Sequence, residues 1–227
     1  MSPLLVVVAL LAVIVFILWR RQVRLVRDRF IRNASFPPGL LDRLARRRPE
    51  FPLKDRVLVA RALRQFFLVN LHAGGRFVAM PSQAAGELWQ EFGLFGKAYD
   101  AFCRKAFGRF FPHTAAVALG ADRQSNAGLR RAWWFACKEE NINPREPTRL
   151  PLLFALDAKL GIAGGFRYTP RRRESGQGGD GVDMHYAEDF SSPGFDGSID
   201  GFGGAGAEGG WDGGDGGGDG GGDGGGD

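Results

Sequence analysis

The chain has few of the residues that most often carry chemistry. Its 227 residues include two cysteines, Cys103 and Cys137, and three histidines, His72, His113 and His185. Two widely separated thiols make no disulfide framework and fit a reducing compartment. No HExxH, CxxC, GxSxG or Walker-type glycine loop occurs, and no GxGxxG opens a helix in the part able to fold. The common metalloprotease, serine-hydrolase and nucleotide-binding signatures are therefore missing. No residue set stands out as catalytic, and no cofactor is expected.

Charge is absent from Pro3 to Trp19 (PLLVVVALLAVIVFILW), as are glycine and any polar residue. Seventeen residues of helix cover about 26 Å, slightly less than the roughly 30 Å of bilayer hydrocarbon. Trp19 suits the headgroup level, and Arg20, Arg21 and Arg24 can extend the span at that end. A cleaved signal peptide would need a positive region before the run and a small-x-small site after it; the sequence has neither. A buried core helix would be apolar on one stripe, not all round. The run reads as a single transmembrane helix. Six arginines between Arg20 and Arg32 face only Asp28 on the C-terminal side, which places the rest of the chain in the cytoplasm.

Lysine and arginine are also absent after Arg173. Up to that residue, 30 basic side chains stand against 12 acids, whereas 13 acids follow it, so a formal charge of +5 conceals a basic body and an acidic tail. Of the last 54 residues 23 are glycine. Such composition offers too little burial to offset ordering entropy, so residues 169–227 are expected to be disordered. The closing Asp-Gly-Gly-Gly repeats lack the apolar position that a calcium β-roll requires.

Between these ends, apolar spacing is helical. Val23, Val26 and Phe30 continue the first helix past Trp19, with arginines that either lie on anionic headgroups or form a solvated flank. Pro37-Pro38-Gly39 ends it. Further helices are expected near Leu40–Leu44, from Leu53 to Gly74, from Ser82 as N-cap to Gly93, from Tyr99 to Pro112, around Leu129–Cys137, and from Leu150 to Leu160. Only Arg76–Met80 alternates at period two. The expected class is all-α: an anchor over 1–34, a domain of about five helices over 35–168, and the tail.

Cys103 and Cys137 sit among aromatics and read as core thiols. A metal site from Cys103, Cys137, His72 and His113 would lack close ligand spacing. Trp133-Trp134-Phe135 must either run through the centre of the domain or present an aromatic to a partner. The arginines cluster beside the membrane run and at Arg171–Arg173 without any nucleic-acid-binding motif. Membrane lipid and a protein are the expected partners, and nucleic acid is not.

Trp89, Tyr99, Phe102-Cys103, Phe107-Gly108 and His113 resemble the core motif of the glycine-rich domain-containing protein-like family, over roughly residues 53–168. The resemblance implies an Asp at position 86, a His at 90 and a His at 112, where this chain has Gly86, Gln90 and Pro112. A polar or metal site built from those residues would retain only His113 and Cys103 here. The readings that follow are a membrane-tethered, non-catalytic interaction module, or a metal-binding or enzymatic domain using His113 and Cys103.

Overall fold

The structure, a computed structural model, describes residues 3–170 and 184–203. It is helical, with one long N-terminal apolar helix, six helices within 35–168 where about five were expected, and a short further helix beyond, among the described residues.

Helix α1 (Pro3–Asn33) is unbroken for 31 residues. Its apolar run is exposed throughout. From Val23 onward the helix becomes embedded: Val23, Arg27, Asp28 and Phe30 are half-buried and Ile31 is buried, while Val26 stays exposed. The second half of α1 thus packs one side on the domain, while Arg20, Arg21, Arg29 and Arg32 stay exposed.

The domain is built around α3 (Leu53–His72). From Val59 to Leu71 only Arg61 and Arg64 escape full burial, and even Gln65 and Asn70 are enclosed. A helix apolar nearly all round must be surrounded. Packed on it are α1, α2 (Leu40–Arg47), α4 (Gln83–Gly93), α6 (Arg123–Glu139) and α7 (Leu152–Lys159). Helix α5 (Lys97–Phe107) lies against α1, its Phe102 ring 5.6 Å from Phe30.

Local chemistry sets most helix ends. Ser82 Oγ accepts the Ala85 N–H, as its N-cap position predicts. Helix α5 stops at Gly108 (φ 76°), before the expected Pro112, because glycine takes the left-handed position that ends a helix. Helix α6 starts at Arg123, before the expected Leu129, since the Asp122 carboxylate accepts the Ser125 N–H. The alternating Arg76–Met80 segment forms only an isolated bridge, Met80 to Ala116.

Buried Asp157 on α7 ties three segments together. It accepts from Ser82 Oγ at 2.7 Å, from the Gln83 and Ala84 N–H groups at 2.8 and 3.3 Å, and from the Phe166 N–H at 3.2 Å. The first N–H groups of a helix have no intrahelical partner and form a positive end, so a carboxylate there is doubly favoured.

The C-terminal segment departs from the expected disorder. Strand β1 (Arg167–Thr169) pairs in parallel with β2 (Met184–Tyr186), and a short α8 (Ala187–Ser191) follows. Phe190 stacks on Trp133 at 4.9 Å, and Phe202 meets Trp134 edge-on at 5.7 Å. The expectation averaged composition over the whole tail and so hid these aromatics. Trp133 lies in the main core and Trp134 is nearly fully buried, so the run follows the central alternative, with Phe190 and Phe202 of the same chain completing its cover. Gly201 (φ 89°) passes so close to the Ala127 carbonyl that a Cβ would collide with it. The remainder of the expected tail, 171–183 and 204–227 with its repeats, lies outside the described residues.

Arg130 clamps this segment. It is fully buried on α6, on the side of Trp133 and Cys137. Its Nε donates to Phe190 O at 3.0 Å, Nη2 donates to Ser192 O at 2.8 Å, and Nη1 lies 3.4 Å from Asp196 Oδ1. Asn126 holds the other Asp196 oxygen at 3.1 Å. Burial alone would raise the Asp196 carboxyl, but the Asn126, Ser198 and Arg130 contacts outweigh it and hold it below the usual range.

Replacing Arg130 with Met removes two charge-assisted bonds to carbonyls, shifting local opening of residues 184–203 by about 2 kcal/mol. Limited proteolysis of the full chain should cut that segment roughly thirtyfold faster, with α3 still protected.

Candidate functional site

Two groups of polar residues stand out. The first contains the motif positions Trp89, Tyr99, Cys103 and His113, which the fold brings together. Trp89 Nε1 donates to the Tyr99 hydroxyl at 2.8 Å, and that hydroxyl donates in turn to Phe111 O. Cys103 is fully buried beside them. Burial pushes its thiol pKa up, opposed by hydrogen bonding with the Phe111 backbone and Tyr99. Burial also raises the Tyr99 phenol. Both groups therefore stay neutral at physiological pH, which fits packing and hydrogen bonding, not nucleophilic attack.

His113 lies at the rim. Its ring sits 4.8 Å from that of Trp89, and Nε2 is 3.3 Å from Gly86 O. Burial on that side, with the Arg47 charge, holds the imidazole below the ordinary histidine range against the opposing Gly86 carbonyl. The three departures from the motif also have structural counterparts. A Cβ on Gly86 would meet Ala116 Cβ at 3.3 Å and Met80 Cγ at 3.5 Å, so Ala116 and Met80 crowd the place an aspartate would enter. Gln90 Oε1 accepts from Arg47 Nη1 at 3.0 Å. Pro112 is exposed. Among the described residues, no three His, Cys, Asp or Glu side chains are grouped to hold a metal.

The second group joins α1 to the domain, and His72 belongs to it, not to the first. Asp28 accepts from Arg32 Nε at 2.6 Å and lies 2.9 Å from His72 Nε2, while Arg32 Nη2 donates to Glu139 at 2.9 Å. Burial would raise the Asp28 carboxyl, but Arg32 and His72 outweigh it and hold it below the usual carboxylate range. The Glu139 and Asp28 bonds hold Arg32 above its ordinary value. Sequence reading missed this set, because its members come from α1, α3 and α6. The available cue was Asp28, the lone acid among the flanking arginines.

Beside Arg32 opens a cleft of about 570 Å³, lined by Arg61, Arg64 and Lys159 as well as Glu139 and Glu140. The acids are engaged: Glu140 accepts from Gln65 at 2.8 Å and from the Leu152 N–H at 2.6 Å. Burial and the Arg61 charge lower the Arg64 pKa. Cys137 is buried elsewhere in the core, its thiol pKa pushed up to about 12 chiefly by burial. Trp19, Arg20 and Arg21 remain exposed, whereas Arg24 is half-buried against the domain.

The helical domain is seated on the second half of its own apolar N-terminal helix, with Trp89 and Tyr99 bonded internally. The chain belongs to the UCP032817-like family, whose model matches residues 26–190. The match takes in the docked half of α1 and extends through β2 to Phe190. No curated protein and no solved structure matches the chain.

Tyr99→Phe leaves the buried Trp89 N–H without its acceptor and should lower stability by about 1–3 kcal/mol in denaturant melts. Cys103 should resist maleimide until the chain unfolds.

The Asp28 contacts stabilise the fold fully above the ordinary carboxylate pKa of about 4, and that stability is lost as pH falls through the lower folded value. Wild-type chain should lose stability relative to Asp28→Asn on acidification below about pH 4, measured as melting temperature in detergent; a constant difference would contradict the linkage.

Proposed function

We propose that the chain is a single-pass membrane-anchored interaction module, non-catalytic, facing the cytoplasm, with a basic body and an acidic glycine-rich tail. The carrying observation is α1: Pro3–Trp19 is exposed and apolar on every side, and the same unbroken helix is embedded in the domain from Val23. A water-soluble protein would leave a large uncovered apolar surface there, which a bilayer covers.

The proposed likeness to the glycine-rich domain-containing protein-like family gains support from the convergence of Trp89, Tyr99, Cys103 and His113. That convergence also favours interaction over catalysis. Tyr99 and Cys103 are enclosed and bonded, Ala116 and Met80 crowd position 86, and the exposed Gln90 side chain is bonded to Arg47. Membrane lipid is the proposed partner of α1. A protein partner is proposed for the basic cleft bounded by Arg61, Arg64 and Lys159, with the acidic residues beyond Gly203 as a modulator of that surface.

Alkaline carbonate extraction of membranes carrying the full chain tests the anchor. The chain should stay in the pellet, and a variant lacking residues 3–19 should not. Protease added to the outside of intact cells should spare a C-terminal epitope; its loss would reverse the orientation and leave the anchor standing.

A further inference from the structure

The cleft beside Arg32 holds more positive charge than its own acids balance. Arg32 is bonded to Asp28 and Glu139, and Glu140 to Gln65, Arg149 and the Leu152 N–H. Both lining acids are thus engaged. Arg61, Arg64 and Lys159 line the same cleft with no carboxylate partner among the described residues. Asp55 stands one turn before Leu58 on α3, outside the lining.

Arg64 is the most constrained of the three. It is half-buried, its Nη2 donates to Ala34 O at 2.9 Å, and its guanidinium lies 5.2 Å from the centre of the Phe36 ring. Burial and the neighbouring Arg61 charge both lower its pKa. Two like charges, one of them partly desolvated, form an unfavourable pair that an entering anion relieves.

The shape of the cleft selects among anions. Along α3 it runs from Leu58 to Leu68, about 15 Å of helix rise. Leu58, Leu68 and Leu152 lie among the cations. A compact ion would fill a small part of this volume, whereas an extended acidic segment with an aromatic ring matches both its length and its mixed lining.

One segment of this chain has that composition. After Gly203 the sequence holds six acids, no Lys or Arg, and a single aromatic, Trp211, flanked by Glu208, Asp212 and Asp215. Trp211 to Asp215, if extended, spans about 13 Å. The segment also starts nearby. A Cβ on Gly203 would fall 2.9 Å from the Trp134 ring and 3.2 Å from Arg145 Nη2. Trp134 precedes Glu139, a lining residue, by about 7.5 Å of rise along α6. The chain from Gly203 to Trp211 can reach up to about 28 Å, enough to pass round a helix about 10 Å wide. Covalent linkage favours such a segment over a free competitor, at an effective concentration on the order of millimolar.

We infer that residues 208–215 occupy this cleft within the same chain, with Asp212 and Asp215 meeting Arg61, Arg64 and Lys159 and Trp211 covering the leucines, so that a partner must displace the segment to bind. The inference rests on the reading of the cleft as a partner surface.

Carbodiimide joins amines to carboxylates that touch, and Lys159 is the amine of the cleft. The full chain is treated in nonionic detergent and its coupled residues are mapped by mass spectrometry. Coupling of Lys159 to Asp212 or Asp215 should exceed that of Lys138 several-fold, although Lys138 lies against Trp134 and so nearer Gly203. Arg61→Glu and Trp211→Ala should each reduce it several-fold, and Arg46→Glu, at an exposed position outside the cleft, should leave it unchanged. Coupling that favours Lys138, or that ignores Arg61→Glu, would overturn the docking. So would coupling between two chains, detected by mixing isotope-labelled and unlabelled protein. A second arm adds a dye-labelled synthetic peptide of residues 206–217 to the full chain at low salt. A full-length variant with Asp212→Asn and Asp215→Asn should bind that peptide several-fold more tightly than wild type does. Equal binding by the two chains would overturn occupation by the tail and keep the cleft as a partner surface, whereas no binding by either would overturn both.

Discussion

Everything in the domain answers to one constraint: α3 is apolar on nearly every side from Val59 to Leu71 and has to be enclosed. No single neighbour can cover such a helix, so α1, α2, α4, α6 and α7 each cover a part. Helix α1 is the least expected of these. Its own apolar run is far longer than the domain uses, yet its last third supplies Ile31 and Phe30 to the core. Burying the Ile31 side chain alone is worth roughly 2 kcal/mol. The helix proposed as an anchor is therefore also a wall of the fold.

The arginines divide into two kinds that net charge conceals. Arg130, Arg32 and Arg48 are bound to specific acceptors: the Phe190 and Ser192 carbonyls, Asp28 with Glu139, and Glu87 at 2.6 Å. These act as structural pins. Arg130 is the most consequential, because a buried guanidinium without partners would cost far more than the contacts return. Arg61, Arg64 and Arg109 have no carboxylate partner of this kind among the described residues. That second set is what a negatively charged partner would meet.

Much of the helical layout was legible because it depends on near-neighbour chemistry. Ser82 caps α4, Pro52 opens α3, and the spacing of Leu88, Trp89 and Phe92 marks a buried face. The boundaries of α5 and α6 were misjudged where a nearer signal, Gly108 or Asp122, outranked a more obvious one such as Pro112. Legibility failed for 184–203. Glycine content is a good index of ordering cost, but Tyr168, Phe190 and Phe202 offset that cost by covering Trp133, Trp134 and Phe154. A cue was present in Arg130, which shares the stripe of Trp133 and Cys137 on α6; an arginine there calls for acceptors from elsewhere in the chain. The motif cluster was legible as a set but not as a function, since hydrogen-bond direction decides whether Tyr99 and Cys103 are exposed chemistry or internal bonding.

These distinctions change how the acidic C-terminal half can be understood. From sequence, the 13 acids after Arg173 look like one block opposing the basic body. Asp196 does not belong to such a block: it is buried with Arg130, and removing it would leave that guanidinium with carbonyl acceptors alone and no charge partner. Asp189 is likewise used locally, accepting the Tyr186 N–H at 2.7 Å. Truncating the chain at residue 174 would therefore uncover Trp133 and Phe154 and unpair Arg130, and any change in binding would mix exposed apolar surface with altered charge. A truncation after Gly203 keeps the clamp intact while removing acidic charge. Among the described residues the last aromatic contact, Phe202 on Trp134, lies well beyond the point at which the composition turns to glycine.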